Sequence, residues 1–347
     1  MVGTNLTNAN LSGQNLSGRN LTGGVKLGGG ANLSGGADLT NALLTSATLV
    51  GGATLTGATL TGANLTNANL IGQNLQGGFD LTGTTLVGTY LTNANLSGQN
   101  LSGRNLTGGV KLGGGANLSG GANLSGANLT SATLAGATVT GATLTSANLS
   151  SANVVGGVNF QGLDLTGVTL VGTVMTNANL SGQNLTGRNL TRTTLVGATL
   201  TGATLTGGAT LYGGANLSGA NLSGLNLQGV TLTGAVFAGA NLSSATLTGQ
   251  TLQALNLSGG ANLSGATLNN ANLIRANIQG GANLTSASLI GANLSGANLR
   301  VANLTGGEPD RSDSHRSDPH RRQYDRRDPV DEPPRPALSV GALSLPG

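Results

Sequence analysis

Residues able to do acid–base, nucleophilic or metal chemistry are few in this 347-residue chain. There is no cysteine, so there is no disulfide, thiol nucleophile or Cys-ligated zinc, and the redox compartment is not legible. Both histidines, His315 and His320, lie among prolines and charges near the end of the sequence, where they read as solvated rather than as a metal site or general base. Between residues 4 and 306 the carboxylates are Asp38, Asp80 and Asp164. The basic residues form pairs instead: Arg19 with Lys26, Arg104 with Lys111, and Arg188 with Arg192. A row of this kind would serve an anionic partner.

What positions these residues is a repeat. Charged residues make up 7% of the chain and aromatics 2%, too few large side chains for a conventional globular core. Gly and Pro, at 61 and 7 residues, stay below the level of low-complexity disorder, which sits at roughly 25–30%. The unit is A-(N/T)-L-(S/T)-G, as in Ala220-Asn221-Leu222-Ser223-Gly224. Its central apolar residue recurs from Leu6 to Leu304 in 58 consecutive copies. Most steps are five residues and thirteen are six, as at Gly35-Gly36, Gly51-Gly52 and Gly77-Gly78. A period of five matches neither a helix nor a continuous strand. It matches a short strand with Ala and Leu facing one way, Asn and Ser the other, closed by a Gly or Asn that tolerates positive φ. Stacking successive coils then pairs the backbone of each with its neighbours.

These units resemble the pentapeptide-repeat family, whose consensus is A-(D/N)-L-x-x, and the resemblance covers about 300 residues. It implies an all-β fold: a right-handed quadrilateral parallel β-helix with four pentapeptides per coil and the Leu and Ala positions inward. The sequence checks the number four independently. Leu6 to Ala37 recurs unchanged at Leu91 to Ala122, an offset of 85, and a third copy begins at Thr176, offset 84 from the second. Once the six-residue steps are removed, both offsets equal 16 repeats, a whole number of four-sided coils. The 58 repeats make about 14 coils, roughly 70 Å long. Residues 4–306 are therefore expected to form the β-solenoid. Residues 307–347, with all seven prolines, both histidines and 15 charged residues, are expected to form a disordered charged tail.

This register sorts the candidates. Asp38, Asp80 and Asp164 share one wall, and the first two stand two coils apart, about 10 Å. That is tolerable for an inverting glycosidase pair at roughly 6.5–9.5 Å, but a flat outer strand offers no cleft and nothing to raise one pKa. Asp at the consensus Asn position is the plainer reading. Arg19, Arg104 and Arg188 share another wall at intervals of four coils, about 19 Å. Each stands where the consensus has inward Ala, five residues after Gln14, Gln99 or Gln183. Burying an unpaired guanidinium is costly, so these side chains should leave at a corner or bond interior carbonyls. Gly28-Gly29-Gly30 lacks the strand-to-helix context of a phosphate loop. The Asn-Leu-Ser and Asn-Leu-Thr triplets follow from the repeat itself and carry no glycosylation signal. Thr-Leu-Thr units such as Thr54-Leu55-Thr56, Thr59-Leu60-Thr61 and Thr204-Leu205-Thr206 scatter over three walls, so they build no ice-binding array.

Some members of the resembled family mimic B-form DNA with acidic faces and act on DNA gyrase. Residues 1–306 carry eight Lys/Arg against three Asp, the wrong sign for that role. The expected function is a non-enzymatic structural or protein-interaction scaffold with no catalytic residues, cofactor or metal. The alternative is a nucleic-acid- or DNA-topoisomerase-interacting protein. The expected partner is a protein of unknown identity, with nucleic acid disfavoured and no membrane contact. The N-terminal coils, unguarded by charge or proline, point to weak homodimerisation. With no signal peptide or apolar span visible, the default compartment is the cytoplasm.

Overall fold

A computed structural model describes residues 1–27, 31–33, 37–49, 55, 58–76, 81, 83–206, 208–211 and 214–307. Several sequence expectations fall outside these residues. They are Asp80, Gly28-Gly29-Gly30, Thr54 and Thr56, both histidines, three of the double-glycine steps and the tail from residue 308.

Each repeat folds the same way for the same local reasons. The N–H three residues after the central Leu donates to the Leu carbonyl and closes a turn, as from Ala9 to Leu6 at 3.0 Å. The residue two after the Leu takes positive φ, Gly13 at 64° and Asn8 at 62°, which is why Gly and Asn recur there. A six-residue step places two such residues in succession, as at Gly108 and Gly109. The Asn before the Leu points outward, and its Oδ1 accepts the N–H two residues on, Thr7 to Asn5 at 3.1 Å. Asp can play the same part, which accounts for the Asn/Asp alternation.

Bridges between strands are parallel and join each repeat to the one four further along: Asn5 to Lys26, Asn10 to Asn32, Asn15 to Asp38, Asn20 to Leu43. The coil is therefore four-sided, and these four starting residues define a first, second, third and fourth wall. Within a closed pair the upper N–H donates downward and the lower one upward, as Lys26 to the Thr4 carbonyl at 3.2 Å and Leu6 to the Lys26 carbonyl at 2.8 Å. The first wall runs through this ladder without interruption from Asn5 to Asn298.

The central residues and the inward Ala positions form one continuous core from Leu16 to Ala302. Each fully buried Leu contributes roughly 1.5–3 kcal/mol. At the two ends Leu6, Leu11, Leu294, Leu299 and Leu304 are half-buried. The coil geometry extends slightly past the expected bounds of 4 and 306. Thr4 donates to the Met1 carbonyl at 3.4 Å and Gly307 to Leu304 at 3.2 Å, so corners form at both margins.

Candidate functional site

Inward positions are where this chain departs most from its own consensus. Gln99 and Gln183 are buried and donate Nε2 to the Leu75 and Phe160 carbonyls of the coil beneath, both at 2.6 Å. Gln73 and Gln250 bond Leu49 and Leu227 in the same manner. Thr84, Thr89, Thr173 and Thr193 reach corner carbonyls through Oγ1, Thr173 to Leu149 at 2.8 Å. A carbonyl has two lone pairs, so the corner that already accepts a turn N–H can accept this second donor. Gln14 is exposed because it belongs to the first coil and has none beneath it.

Arg104 and Arg188 occupy the same inward position but find no such partner. Each is half-buried, and its Nε is buried without a hydrogen bond. The terminal nitrogens are neither buried nor bonded, so the side chain crosses the wall from inside to solvent. The wall opens beneath it. No bridge joins Asn105 to Thr85 or Asn189 to Thr169, although both strands of each pair bridge onward on their other sides. Gln183 and Gln250 also stand above openings, between Asp164 and Asn184 and between Thr231 and Thr251. The least covered core residues include Leu163, at 7% exposure, directly beneath Gln183. Size alone does not decide this, since Val110 and Leu255 sit in closed strands.

The six basic residues expected to form a row are thus divided by the fold. Arg19, Arg104 and Arg188 enter the fourth wall from the third, while Lys26 and Lys111 lie on the first wall. Arg192 sits at the corner leading into the first wall, with φ of 58°. All but Arg104 and Arg188 are exposed. The fourth wall is therefore edged by basic residues on both sides.

The described acids stand on the third wall in the structural role of Asn. Asp38 accepts the Thr40 N–H at 2.9 Å and Asp164 the Thr166 N–H at 2.8 Å. The Thr40 hydroxyl and N–H hold Asp38 below the usual carboxylate range. Thr166 does the same for Asp164, with smaller help from Thr145 and the charge of Arg188. The two are six coils apart, about 29 Å, too far to work as a pair. Asp80 lies outside the described residues, as do His315 and His320. No group of three potential metal ligands forms among the described residues. Among them too, no helix is long and apolar enough to cross a membrane.

The inward Gln and Thr donors were missed by the sequence reading, although the register carries their signal: any donor-bearing residue at an Ala position must find an acceptor inside.

A family model for pentapeptide repeats matches eight stretches of the chain, residues 51–79, 77–108, 122–157, 156–187, 175–207, 214–249, 259–281 and 282–307. No curated protein sequence matches significantly. Solved structures that align with the chain include a trypsin-treated variant of QnrB1, a plasmid-mediated fluoroquinolone resistance protein. It is 18% identical over 73% of this chain and 84% of that one, with a TM-score of 0.26. HetL, a pentapeptide repeat protein involved in heterocyst differentiation regulation in Nostoc sp. strain PCC 7120, is 28% identical over 88% and 94%, with a TM-score of 0.15. Rfr23 from the cyanobacterium Cyanothece 51142 is 30% identical over 40% and 86%, with a TM-score of 0.20. Superpositions at these scores carry no argument; the family model does.

Proposed function

The chain belongs to the pentapeptide-repeat family, a right-handed quadrilateral β-helix, and from that premise we propose that it works as a rigid, non-enzymatic protein-interaction scaffold. The observation that carries this reading is the placement of its ionisable groups. Among the described residues they are spread singly over flat walls, the acids spent on turn N–H groups and the bases, Arg300 apart, set along the two sides of one wall. Such a surface can bind along its length but cannot gather an acid, a base and a nucleophile around one substrate. The expected basic row of Arg19, Lys26, Arg104, Lys111, Arg188 and Arg192 becomes, in this reading, the two borders of a binding wall.

Affinity capture with the full chain from its native host tests the scaffold. Reproducible recovery of a discrete protein partner is expected; recovery of nothing beyond background would overturn it. The alternative, a topoisomerase partner engaged by mimicry of DNA, needs acids where phosphates sit. The first and fourth walls carry none among the described residues. Purified protein should leave gyrase supercoiling unchanged at micromolar concentration, and clear inhibition there would promote the alternative.

A further inference from the structure

The first-wall ladder passes from Lys26 through Thr48, Asn69 and Tyr90 to Lys111, four coils on. Four more steps reach Thr194, flanked by Arg192, and another four reach Asn277, flanked by Arg275. Lys111 is the duplicated copy of Lys26, whereas the third copy has Thr194 at that position and Arg192 two residues before it. Arg275 lies beyond the three copies of the block. It still falls in the same register, about 19 Å beyond the third cation. Across the fourth wall, Arg19, Arg104 and Arg188 keep the same four-coil interval.

The surface between these borders is biased toward donors. Every described asparagine at an outward position of the fourth wall, from Asn20 to Asn293, spends its Oδ1 on an N–H two residues later. None of their Nδ2 groups is bonded within the molecule, so these donors face solvent. The opposite wall differs. There Asn117 donates Nδ2 to Asn95, Asn241 to Asn221 and Asn262 to Asn241, each at 3.2 Å, and the wall consumes its own donors. The openings beneath Arg104 and Arg188 leave N–H groups unbridged at Leu86, Asn105, Leu170 and Asn189 and an equal number of carbonyls, so they widen the polar surface while the asparagines set its donor bias.

Resting on the scaffold reading, we infer that the fourth wall is a docking track for an extended acidic polypeptide, contacted through its carboxylates every four coils. The spacing selects the occupant. An extended strand rises about 3.3 Å per residue, so six residues span one interval and keep their acidic side chains on one side. Duplex DNA carries a charge every ~1.7 Å, and cations about 19 Å apart would neutralise few of them. The fourth wall also offers no exposed aromatic ring for bases to stack on among its described residues.

Fluorescence anisotropy tests the track with a labelled synthetic peptide of about 18 residues, three intervals long, in which a Glu-x-Glu pair recurs every sixth residue. The full-length protein is compared with the variant Lys26→Gln/Lys111→Gln/Arg192→Asn/Arg275→Asn. Asn is used at the two corners because it tolerates their positive φ. Matching circular dichroism melts establish that the variant is folded. Binding is expected at ~20 mM salt, weakening at least tenfold at ~200 mM, and at least about tenfold in the variant. No binding at low salt, or equal binding by the variant, would overturn the track. Tighter binding of a single-stranded oligonucleotide of equal charge would also overturn it and make the wall a nucleic-acid surface. A partner captured from lysate that still binds the variant would leave the scaffold standing while the track fell.

Discussion

The first and fourth walls are built from the same five-residue unit, yet one is an unbroken ladder and the other opens three times. Their outward residues do not explain this, being Asn and Thr for the most part on both. The inward positions do. On the first wall they are Ala, Val, Thr and one Leu, and the strands close over all of them, Thr89 bonding without leaving its place. On the fourth wall they include Arg104, Arg188 and Gln250, and the ladder is open beneath each. On this wall the openings coincide with length inside rather than with polarity, although on the second and third walls the ladder also opens beneath Val158, Leu163 and Leu225. The length the fourth wall admits appears as gaps, and those gaps add unbridged N–H and C=O groups to the asparagine donors of the proposed track.

All four walls share one register, so the largest effect comes from violating it. Leu222 is fully buried and Ser223, beside it, is half-buried with its N–H on Asn221. Leu222→Asp should cost roughly 4 kcal/mol or more, because it buries an unpaired charge. Ser223→Asp should cost less than ~1 kcal/mol. Equal denaturant midpoints would mean the inward and outward positions are misassigned.

The two walls should then respond with opposite signs to the same kind of trimming. Thr89→Ala on the first wall removes an Oγ1 bonded to the Leu65 and Leu86 carbonyls and should destabilise by about 1–2 kcal/mol. Arg188→Ala on the fourth wall removes a buried, unpartnered Nε and lets Asn189 pair with Thr169. It should stabilise by about 1 kcal/mol. Destabilisation by both in urea melts would show that Arg188 has a partner and that the gap is not of its making.

The smallest effect concerns Asp38, whose folded pKa lies below its unfolded value through its bonds to Thr40. A depressed carboxyl stabilises the fold above its unfolded pKa, and that contribution is lost as pH falls through the folded pKa. The thermal midpoint should therefore drop below about pH 4, and Asp38→Asn should flatten the drop slightly while leaving the neutral-pH value unchanged. A midpoint that rises on acidification would reverse the assignment.

Much of this was legible in the sequence. The spacing of Leu residues and the 16-repeat duplications specify four walls, and Leu222, Ala220 and their equivalents read as inward from the unit alone. The Asn/Asp alternation also placed Asp38 and Asp164 in the position of Asn, while their acceptance of the Thr40 and Thr166 N–H groups came from the structure. What could not be read is how far a long inward side chain displaces the coil beneath. A five-residue code says which way Arg188 starts, but its end point depends on Val168 below it and on whether a carbonyl lies within reach. Gln14 and Gln183 make the same point: identical in code, one is exposed and the other buried and bonded, because only the second has a coil under it.

Hydrogen exchange at matched backbone amides tests the contrast most directly. Leu91 on the first wall donates to the Lys111 carbonyl at 2.8 Å, and Lys111 to Thr89 at 3.0 Å. Leu86 and Asn105 occupy the equivalent positions on the fourth wall, across the opening beneath Arg104, and have no such bond. The Leu86 and Asn105 amides should exchange at least about a hundredfold faster than those of Leu91 and Lys111, since no global unfolding is needed to expose them. Arg104→Ala should slow the first pair and leave the second unchanged. Equal protection at all four amides in the unmodified protein would mean that the fourth wall is closed, and that inward length does not open it.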